Sequence, residues 1–451
     1  MKAAEQADVI VVGSGQGGVP LAADMAQQGQ KVLLLESGAL GGSCINYGCT
    51  PSKAFLASAH AAGRARLAGG LGVHAQVRVD FGAVMERVRR IRSQWSAGVE
   101  RRLERAGVQV IRVRARFSGP KRVRGGDLQF EAPLIVLNTG TAPAIPDIAG
   151  LAGTPYLTNQ NFFDQTELPR RLLVLGGGYI GLELGQGMAR LGAEVHILEP
   201  GDRLMGREEP DVGQTLREAF EAEGIQVHLG VKAERVEHGV EGFVLHLSDG
   251  SRLAGEALLV ATGRQPNTAA LQAQAVGLEL DEKGYVRIDD QFRTSLEGVY
   301  AIGDVAGQPQ FTHVSWEDYR RLKAIVQGEP RTRADRVVGY AAFTDPQLGR
   351  VGMTLEQARE KGLQAKAVTL PLSQVARATE LGQERGFFRL VVEEKSGKIL
   401  GATFVGYEAG ELVQIILAHM ESGSTWRVLE RSVHIHPTLA EGLPSLARLL
   451  Q

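Results

Sequence analysis

The sequence predicts an α/β protein made of two wound parallel-sheet units followed by a C-terminal α+β domain. The chain has 451 residues, which is more than one ordinary hydrophobic core accommodates and suggests roughly three domains. The segment 9–36 recurs without gaps at 172–199, and each copy has the pattern of a strand, a glycine-rich turn, a helix and a second strand. Beyond residue 335 the pattern changes to alternating strands such as FFRLVVEE and ILGATFVG.

Composition and charge exclude several classes of partner. The 50 basic and 51 acidic residues nearly cancel, so the charge gives no indication of a nucleic-acid partner. No apolar run approaches the ~18 residues of a transmembrane helix, and the N-terminal segment has no apolar signal core. We therefore expect a cytoplasmic protein with no membrane partner, in a compartment that keeps thiols reduced.

Each copy of the repeat contains the motif G-x-G-x-x-G between its first strand and its helix. In such a turn the first glycine permits the tight bend, the second lets the backbone approach a pyrophosphate, and the third lets the helix pack on the strand. Each copy also ends in an acid that can bond a ribose hydroxyl. The residues concerned are Gly13, Gly15, Gly18 and Glu36 in the first copy and Gly176, Gly178, Gly181 and Glu199 in the second. Two complete copies predict two dinucleotide sites.

Two dinucleotide sites in one chain indicate hydride transfer between a nicotinamide and a flavin, with one cofactor in each site. Glu199 stands where the 2′-phosphate of NADPH would bind, and its negative charge favours NADH. Arg203 and Arg207 follow closely in the sequence, so NADPH stays open as the less favoured cofactor.

Three further strands accompany the repeats. LIVLNTG (134–140) and LLVATG (258–263) share a strand-to-Thr-Gly pattern, and we interpret them as the points where the chain leaves and re-enters the first domain. GVYAIGD (298–304) is predicted to be a buried strand that ends at Asp304. The predicted boundaries are 1–145 and 263–334 for the two parts of the first domain, 146–262 for the second domain and 335–451 for the third.

The chain's two cysteines, Cys44 and Cys49, both lie in GGSCINYGCTPSK (41–53). In a reducing compartment a close pair is more often redox-active or metal-binding than a structural crosslink. A small structural disulfide and a two-thiolate metal site are the alternatives, but the segment has no further Cys and no His, so a redox disulfide is favoured. Pro51 fits the first turn of a helix. Cys49 would then lie at a helix N-terminus, where the pKa of a thiol falls.

An ordered set of motifs resembles the pyridine nucleotide-disulfide oxidoreductases, the family of glutathione reductase, dihydrolipoamide dehydrogenase and mercuric reductase. The motifs span essentially the whole chain: G-x-G-x-x-G with Glu36, GGSCINYGCTPSK, NTG (138–140), GGGYIGLE (176–183), ATGRQPN (261–267), AIGD (301–304) and HIHPTLAE (434–441). The resemblance implies an FAD domain split by an inserted NAD(P) domain and followed by a domain that forms a homodimer. The predicted fold class is therefore α/β, with two Rossmann-like dinucleotide-binding domains, for FAD and NAD(P), plus a C-terminal α+β dimerisation domain.

The resemblance also implies roles for individual residues. Cys49 would contact the flavin, and Cys44 would attack the substrate. Lys53, paired with Glu183, would lie beside the flavin, although a solvated lysine is the simpler alternative. The other flavin contacts implied are Gly42, Ser43, Thr139, Gly140, Arg264, Asp304 and Thr312, and Gly263 would lie near the nicotinamide.

HIHPTLAE contains a candidate acid–base pair, His436 and Glu441. A histidine whose pKa is tuned by a carboxylate can exchange protons with thiols near neutral pH. In the family this pair reaches the other subunit's disulfide, so a monomer would be inactive. A metal site and an ordinary interface histidine are the alternatives, and we predict no metal.

We interpret the chain as an enzyme that passes electrons from NADH through FAD and a Cys44–Cys49 disulfide to a small disulfide or metal-thiol substrate, as mercuric reductase-like flavoproteins do. FTHVSWEDYR (311–320) and FTDPQLGRVGMT (343–354) favour this interpretation, whereas the C-terminal LPSLARLLQ lacks the cysteine pair of mercuric reductases. Dihydrolipoamide dehydrogenase, a component of multienzyme complexes, is the runner-up because HIHPTLAE and Glu199 fit it; Glu199 disfavours glutathione reductase. A redox sensor or docking subunit with slow turnover is the alternative from another class.

Overall fold

The computed structural model describes residues 4–451, and its first sheet has five parallel strands. Their order across the sheet is Val299–Ala301, Leu134–Leu137, Val9–Val12, Val32–Glu36 and Gln109–Arg112. The strands are rich in Val, Ile and Leu because a parallel sheet is covered on both faces. The main helices of this domain are Gly18–Gln27, Cys49–Leu67, Phe81–Ala106 and Thr312–Val326, and a small second sheet contains Glu5–Gln6, Leu128–Glu131, Arg122–Gly125 and Arg116–Gly119. The first repeat is the strand–turn–helix–strand unit predicted.

The second repeat builds a separate parallel sheet of four strands. Their order is Gln226–Leu229, Glu194–Glu199, Arg171–Leu175 and Ala257–Val260. The other elements of this domain are the helices Tyr179–Leu191 and Pro210–Ala222 and the antiparallel strands Ala233–Gly239, Gly242–Leu247 and Arg252–Gly255. This repeat also has the predicted order of elements.

The chain passes between the two wound domains through a pair of short antiparallel strands, Thr141–Pro143 and Arg264–Pro266. The pair lies beside the predicted boundaries, which stay predictions. One predicted element differs: the strand in GVYAIGD ends at Ala301 and does not reach Asp304. Gly303 has φ +71° and begins a 3₁₀ turn that contains Asp304, because a left-handed residue cannot continue the strand.

The C-terminal domain is a five-stranded antiparallel sheet with helices around it. Its strand order is Gly339–Ala342, Gln347–Gly352, Ile399–Gly406, Phe387–Glu393 and Ala365–Pro371. Its helices are Leu355–Glu360, Ala376–Glu380, Ala409–Glu421, Trp426–Arg431 and Gly442–Arg448. Within residues 4–451, no helix is long and apolar enough to cross a bilayer.

One apolar core lies beneath the helix Cys49–Leu67, which we call the cysteine helix, and joins it to the neighbouring domain. The ring of Phe55 is fully buried and packs edge-to-face on Phe162, with centroids 5.4 Å apart. On its other side the ring lies against Gly187 of the helix Tyr179–Leu191, where a Cβ would stand only 2.3 Å from Phe55 Cε1. The glycine therefore lets the two helices approach closely, which sets the position of the cysteine helix.

Candidate active site

The first glycine turn is closed by a buried asparagine. Gly13 has φ +102°, and a Cβ there would stand 2.4 Å from the carbonyl oxygen of Asn138, so only glycine fits. The side chain of Asn138 accepts a hydrogen bond from the amide of Gly18 at 2.9 Å and donates one to the carbonyl of Ile302 at 2.9 Å. Asn138 thus ties the turn to the strand end that leads to Asp304.

The terminal acids of the two repeats occupy equivalent positions. Glu36 accepts hydrogen bonds from the amides of Ser14 at 2.9 Å and Gly38 at 2.7 Å. Glu199 accepts them from the amides of Gly177 at 2.7 Å and Gly201 at 2.8 Å. Each carboxylate is fixed beside its glycine turn, and its remaining lone pairs can accept hydrogen bonds from ribose hydroxyls.

A cavity of about 580 Å³, the central cavity, lies where the three domains meet. Many predicted site residues line it: Gly15, Ser43, Cys44, Cys49, Lys53, Gly140, Glu183, Arg264, Asp304 and Thr312. The others lie outside its lining: Gly13, Gly18, Glu36, Gly42 and Thr139 around the first turn, Gly176, Gly178, Gly181, Glu199 and Gly263 in the second dinucleotide region, and His436 and Glu441 in the C-terminal domain.

The residues around the first turn fit a flavin dinucleotide. A Cβ at Gly42 would stand 2.8 Å from the Cα of Gly15, so glycine lets these two backbone segments approach closely. The hydroxyl of Thr139 is buried and has no hydrogen-bond partner among the described residues. A buried hydroxyl without a partner is costly, and a ligand that supplies one would relieve that cost. The central cavity also has a volume typical of cofactor sites.

The two cysteines are free thiols that line the central cavity. Cys44 lies in the short helix Gly42–Asn46, and Cys49 is the first residue of the cysteine helix, as predicted from Pro51. The Sγ of Cys49 is 3.1 Å from the hydroxyl oxygen of Thr312. The hydrogen bond from Cys44, aided by Thr312 and Lys53, lowers the pKa of Cys49 to about 6 against the opposing effect of burial. The same bond, together with burial, raises the pKa of Cys44.

Lys53 joins all three domains through one carboxylate. Its Nζ lies 2.7 Å from Glu183 Oε2. The other oxygen of Glu183 accepts a hydrogen bond from the amide of Phe343 at 2.9 Å. The Lys53 ammonium also lies 4.5 Å from the centroid of the Phe343 ring. Glu183 is buried, so Lys53 is held as a paired cation facing the cavity rather than as a solvated side chain.

Asp304 is held by residues from the strand pair between the wound domains. The hydroxyl of Thr141 donates to Asp304 at 2.8 Å, and Arg264 Nε donates to the same hydroxyl at 2.7 Å. Burial raises the pKa of the Asp304 carboxyl, while Arg264 and Thr141 counteract part of that effect. Thr141 and Arg264 therefore hold Asp304 at the cavity wall, where its carboxylate can accept a hydrogen bond from a ligand.

Two family models match the chain. The model described as pyridine nucleotide-disulphide oxidoreductase covers residues 7–318, and the model of that family's dimerisation domain covers residues 338–447. The chain belongs to the pyridine nucleotide-disulphide oxidoreductase family. The predicted family, fold class and FAD-dependent oxidoreductase class are confirmed. Members bind FAD and depend on NAD(P), and the dimerisation domain supports a homodimer.

Known members that this chain resembles act on different substrates. Dihydrolipoyl dehydrogenase of Halobacterium salinarum is 36% identical over 445 residues, which cover 96% of this chain and 94% of that protein. Mercuric reductase of Shigella flexneri is 35% identical over 98% of this chain and 80% of its own length. The solved Cu(II) complex of the HOCl-induced flavoprotein disulfide reductase RclA from Escherichia coli has a TM-score of 0.90 at 31% identity and covers 99% of this chain and 100% of that chain.

The predicted acid–base pair of this disulphide oxidoreductase is formed but lies away from its own cysteines. His436 Nδ1 and Glu441 Oε2 are 2.8 Å apart, and the imidazole is three-quarters exposed (75%). Neither side chain lines the central cavity of its own protomer. The neighbouring Val433 and Ile435 are 98% and 79% exposed, so the segment presents apolar surface as well. This placement is compatible with a pair that serves a second subunit.

Several residues at the site were not predicted. Asn138 and Tyr179 belong to the NTG and GGGYIGLE motifs, and their place beside the glycines is a signal that could have indicated them. Phe311 and Tyr340 stack in the cavity wall with centroids 4.9 Å apart. They come from a helix N-terminus and a distant strand, and no local pattern connects them.

Proposed function

We propose that this protein is an FAD-dependent NADH:disulfide oxidoreductase in which Cys44 and Cys49 pass electrons to a small disulfide or metal-thiol substrate. The observation that carries the proposal is the pair of cysteines in the central cavity whose thiol pKa values differ, which we call the unequal thiol pair. Thr312 and Lys53 are placed to stabilise the Cys49 thiolate. When bound, FAD would supply the hydride chemistry that links the nicotinamide to the disulfide. The chain's own residues hold the cofactors and carry out the thiol chemistry.

The thiol chemistry runs from Cys44 to Cys49. The Cys44 thiolate attacks one sulfur of the substrate disulfide and forms a mixed disulfide, and the first product leaves as a thiolate. The Cys49 thiolate then attacks the Cys44 sulfur, which closes the Cys44–Cys49 disulfide and releases the second product. His436 of the partner subunit, held by Glu441, takes the proton from Cys44 and returns it to the leaving thiolate.

The binding residues divide between two cofactors. Lys53, paired with Glu183, would place a cation beside the flavin, and Asp304 would accept a hydrogen bond from its ribityl chain. The residues proposed to hold FAD are Gly13, Gly15, Gly18, Glu36, Gly42, Ser43, Thr139, Gly140, Arg264 and Thr312, and those proposed for the nicotinamide dinucleotide are Gly176, Gly178, Gly181, Glu199 and Gly263.

Glu199 supports NADH over NADPH. Its carboxylate is fixed by the amides of Gly177 and Gly201, so it cannot swing away from a 2′-phosphate without losing both hydrogen bonds. The resulting repulsion should appear as a lower kcat/KM for NADPH than for NADH. Equal values with the two cofactors would contradict this assignment.

The relatives suggest two kinds of substrate. The similarity to RclA, which was solved as a Cu(II) complex, extends over 99% of this chain and 100% of that chain and supports a disulfide or metal-thiol acceptor. A second candidate is dihydrolipoamide oxidation, supported by the 36% identity to the Halobacterium dihydrolipoyl dehydrogenase over nearly all of both chains. The unequal thiol pair serves either reaction, since thiol–disulfide exchange is reversible.

A substrate panel tests these proposals. Purified protein is assayed with NADH and NADPH against lipoamide, glutathione disulfide, coenzyme A disulfide, Hg(II) and Cu(II), in parallel with Cys44→Ser. We expect NADH oxidation that depends on an acceptor and is lost in Cys44→Ser. Rates on lipoamide far above all others would favour the dihydrolipoamide dehydrogenase. Acceptor-independent oxidation that Cys44→Ser leaves unchanged would rule out the disulfide mechanism and favour a sensor or docking role.

A further inference from the structure

A row of polar side chains crosses the C-terminal sheet. Tyr340, Arg350, Thr403, Arg389 and Thr369 are successive cross-strand partners on its five strands. Residues directly opposite each other in an antiparallel sheet share a face. The five side chains therefore form one continuous strip, which we call the polar row.

Two residues of the polar row, Tyr340 and Arg350, bind one carboxylate of the NAD(P) domain, that of Glu208. Arg350 Nη1 donates to Glu208 Oε2 at 2.9 Å, and the Tyr340 hydroxyl donates to Glu208 Oε1. Arg350 and Glu208 are only 2% and 6% exposed. Removing one partner of an ion pair this deeply buried strongly destabilises the folded protein, because the other charge is left buried and uncompensated.

The second half of the polar row binds the acids that follow. The Thr403 hydroxyl donates to Glu209 at 3.0 Å, and the Arg389 guanidinium lies 3.2 Å from the same carboxylate. Arg389 also donates to Asp211 at 3.1 Å. All three acids of the segment Glu208–Asp211, which we call the acidic segment, therefore bind side chains of the polar row.

The loop that begins after Glu199, the predicted ribose acid, leads into the acidic segment, whose Pro210 and Asp211 begin the helix Pro210–Ala222. Within that loop the amide of Met205 donates to the carbonyl of Gly177 in the second glycine turn, at 2.9 Å. The loop is therefore attached to the dinucleotide turn at one point and to the polar row at its end.

The polar row also reaches the central cavity. The Tyr340 ring lines the cavity and stacks on Phe311 with planes 10° apart, while its hydroxyl is bonded to Glu208. One residue thus contacts both the cavity wall and the loop that follows the ribose acid. A shift of the NAD(P) domain relative to the cavity would break this contact.

We propose that the polar row and the acidic segment form an interdomain lock that positions the nicotinamide dinucleotide against the central cavity. Tyr340, Glu208 and Arg350 are then positioning residues, and the inference rests on the proposed function. A substitution that weakens the lock lowers the fraction of molecules in which the dinucleotide site is preformed. The apparent affinity for the nicotinamide dinucleotide then falls by the same factor. Exchange between the reduced cysteines and the substrate does not require that site.

The test compares Tyr340→Phe and Glu208→Gln with the unaltered holoenzyme, and uses Tyr300→Phe as a matched control. Tyr300 is also half-buried, but it lies in the strand Val299–Ala301 and is not part of the polar row. Three quantities are measured: the Kd of NAD⁺ for the oxidised protein by calorimetry, the rate of reduction by NADH, and the rate at which chemically reduced protein consumes a disulfide.

We expect Tyr340→Phe to raise the Kd of NAD⁺ and the half-saturating NADH concentration about three- to tenfold, and Glu208→Gln to raise them further. Disulfide consumption by the reduced protein should change less than twofold in Glu208→Gln, whose side chain lies outside the lining of the central cavity. Tyr300→Phe should change none of the three quantities. An unchanged Kd in both variants would overturn the lock, and so would equal slowing of both half-reactions.

Two features keep the result interpretable. Tyr340→Phe retains the stacked ring, and Thr403→Val offers a second mild variant if Glu208→Gln does not fold. Failure of the proposed function would appear differently, because the unaltered protein would then lack disulfide-dependent NADH oxidation while its NAD⁺ affinity could still be compared with that of the variants.

Discussion

Thr312 is a neutral hydroxyl placed 3.1 Å from the Cys49 sulfur, at the start of the helix Thr312–Val326. A hydroxyl that donates to a thiolate stabilises the charged form and lowers the thiol pKa. Because the pKa of Cys49 is lowered to about 6, its thiolate predominates above that pH and is lost as the pH falls through it. Sequence motifs indicated Thr312 only as a flavin contact, and its contact with sulfur follows from tertiary packing.

Thr312→Val should raise the pKa of Cys49 by about one unit, because one hydrogen bond to a charged group is lost. The measurement is the pH dependence of Cys49 alkylation in the reduced protein, mapped by mass spectrometry. The midpoint should move to higher pH, and Thr50→Val, one residue after Cys49, serves as the control. An unmoved midpoint in Thr312→Val would contradict the assignment.

At the scale of elements, the cysteine helix owes its position to a close approach to the helix Tyr179–Leu191. The contact depends on Gly187, whose missing side chain leaves room for the Phe55 ring. The same pair of helices brings Lys53 to Glu183, so the packing of apolar residues determines the geometry of the ion pair.

Gly187→Ala should destabilise the protein by about 1–3 kcal/mol through overpacking. Gly98→Ala is the matched control, since Gly98 also lies in a helix interior but a Cβ there would stand 4.0 Å from its nearest neighbour. The control should be neutral or stabilising by up to about 1 kcal/mol. Denaturant midpoints measure both, and an equal shift in the two variants would refute the packing argument.

The sequence could predict the elements whose information is local. The repeat strands, the glycine turns and the start of the cysteine helix at Cys49 follow from short patterns, and all are present. The contacts of Tyr340 with Phe311 and Glu208 could not be predicted, because they join segments distant in sequence whose approach is decided by domain packing. The end of the strand at Ala301 was also missed, since a single left-handed glycine decides it.

At the scale of the whole molecule, a single protomer has its cysteines and its His436–Glu441 pair in separate places. A closed two-fold dimer would present each pair to the other subunit's cavity in both directions, because its interface is self-complementary. The dimerisation domain supports that assembly, and the exposed apolar residues beside His436 would be covered in it.

Mixed dimers test whether the site is shared. Cys44→Ser and His436→Ala should each be nearly inactive alone. Random reassembly of the two should restore about a quarter of the unaltered activity, because half of the dimers then contain one intact site of two. The measurement is turnover after mixing and reassembly, with each variant mixed with itself as the control. No recovery would mean that both groups act within one subunit.

The difference in pKa between the two thiols determines how many protons are taken up when the Cys44–Cys49 disulfide is reduced. At neutral pH the reduced pair carries one proton and one negative charge, because the pKa of Cys49 is about 6 and that of Cys44 is raised. Reducing the disulfide therefore takes up two electrons but only one proton. The midpoint potential of the pair should fall by about 30 mV per pH unit above pH 6, and by about 59 mV per unit below it. Equilibration in thiol redox buffers across pH 5–8, followed by alkylation, would measure that slope, which a pair of ordinary thiols would not show.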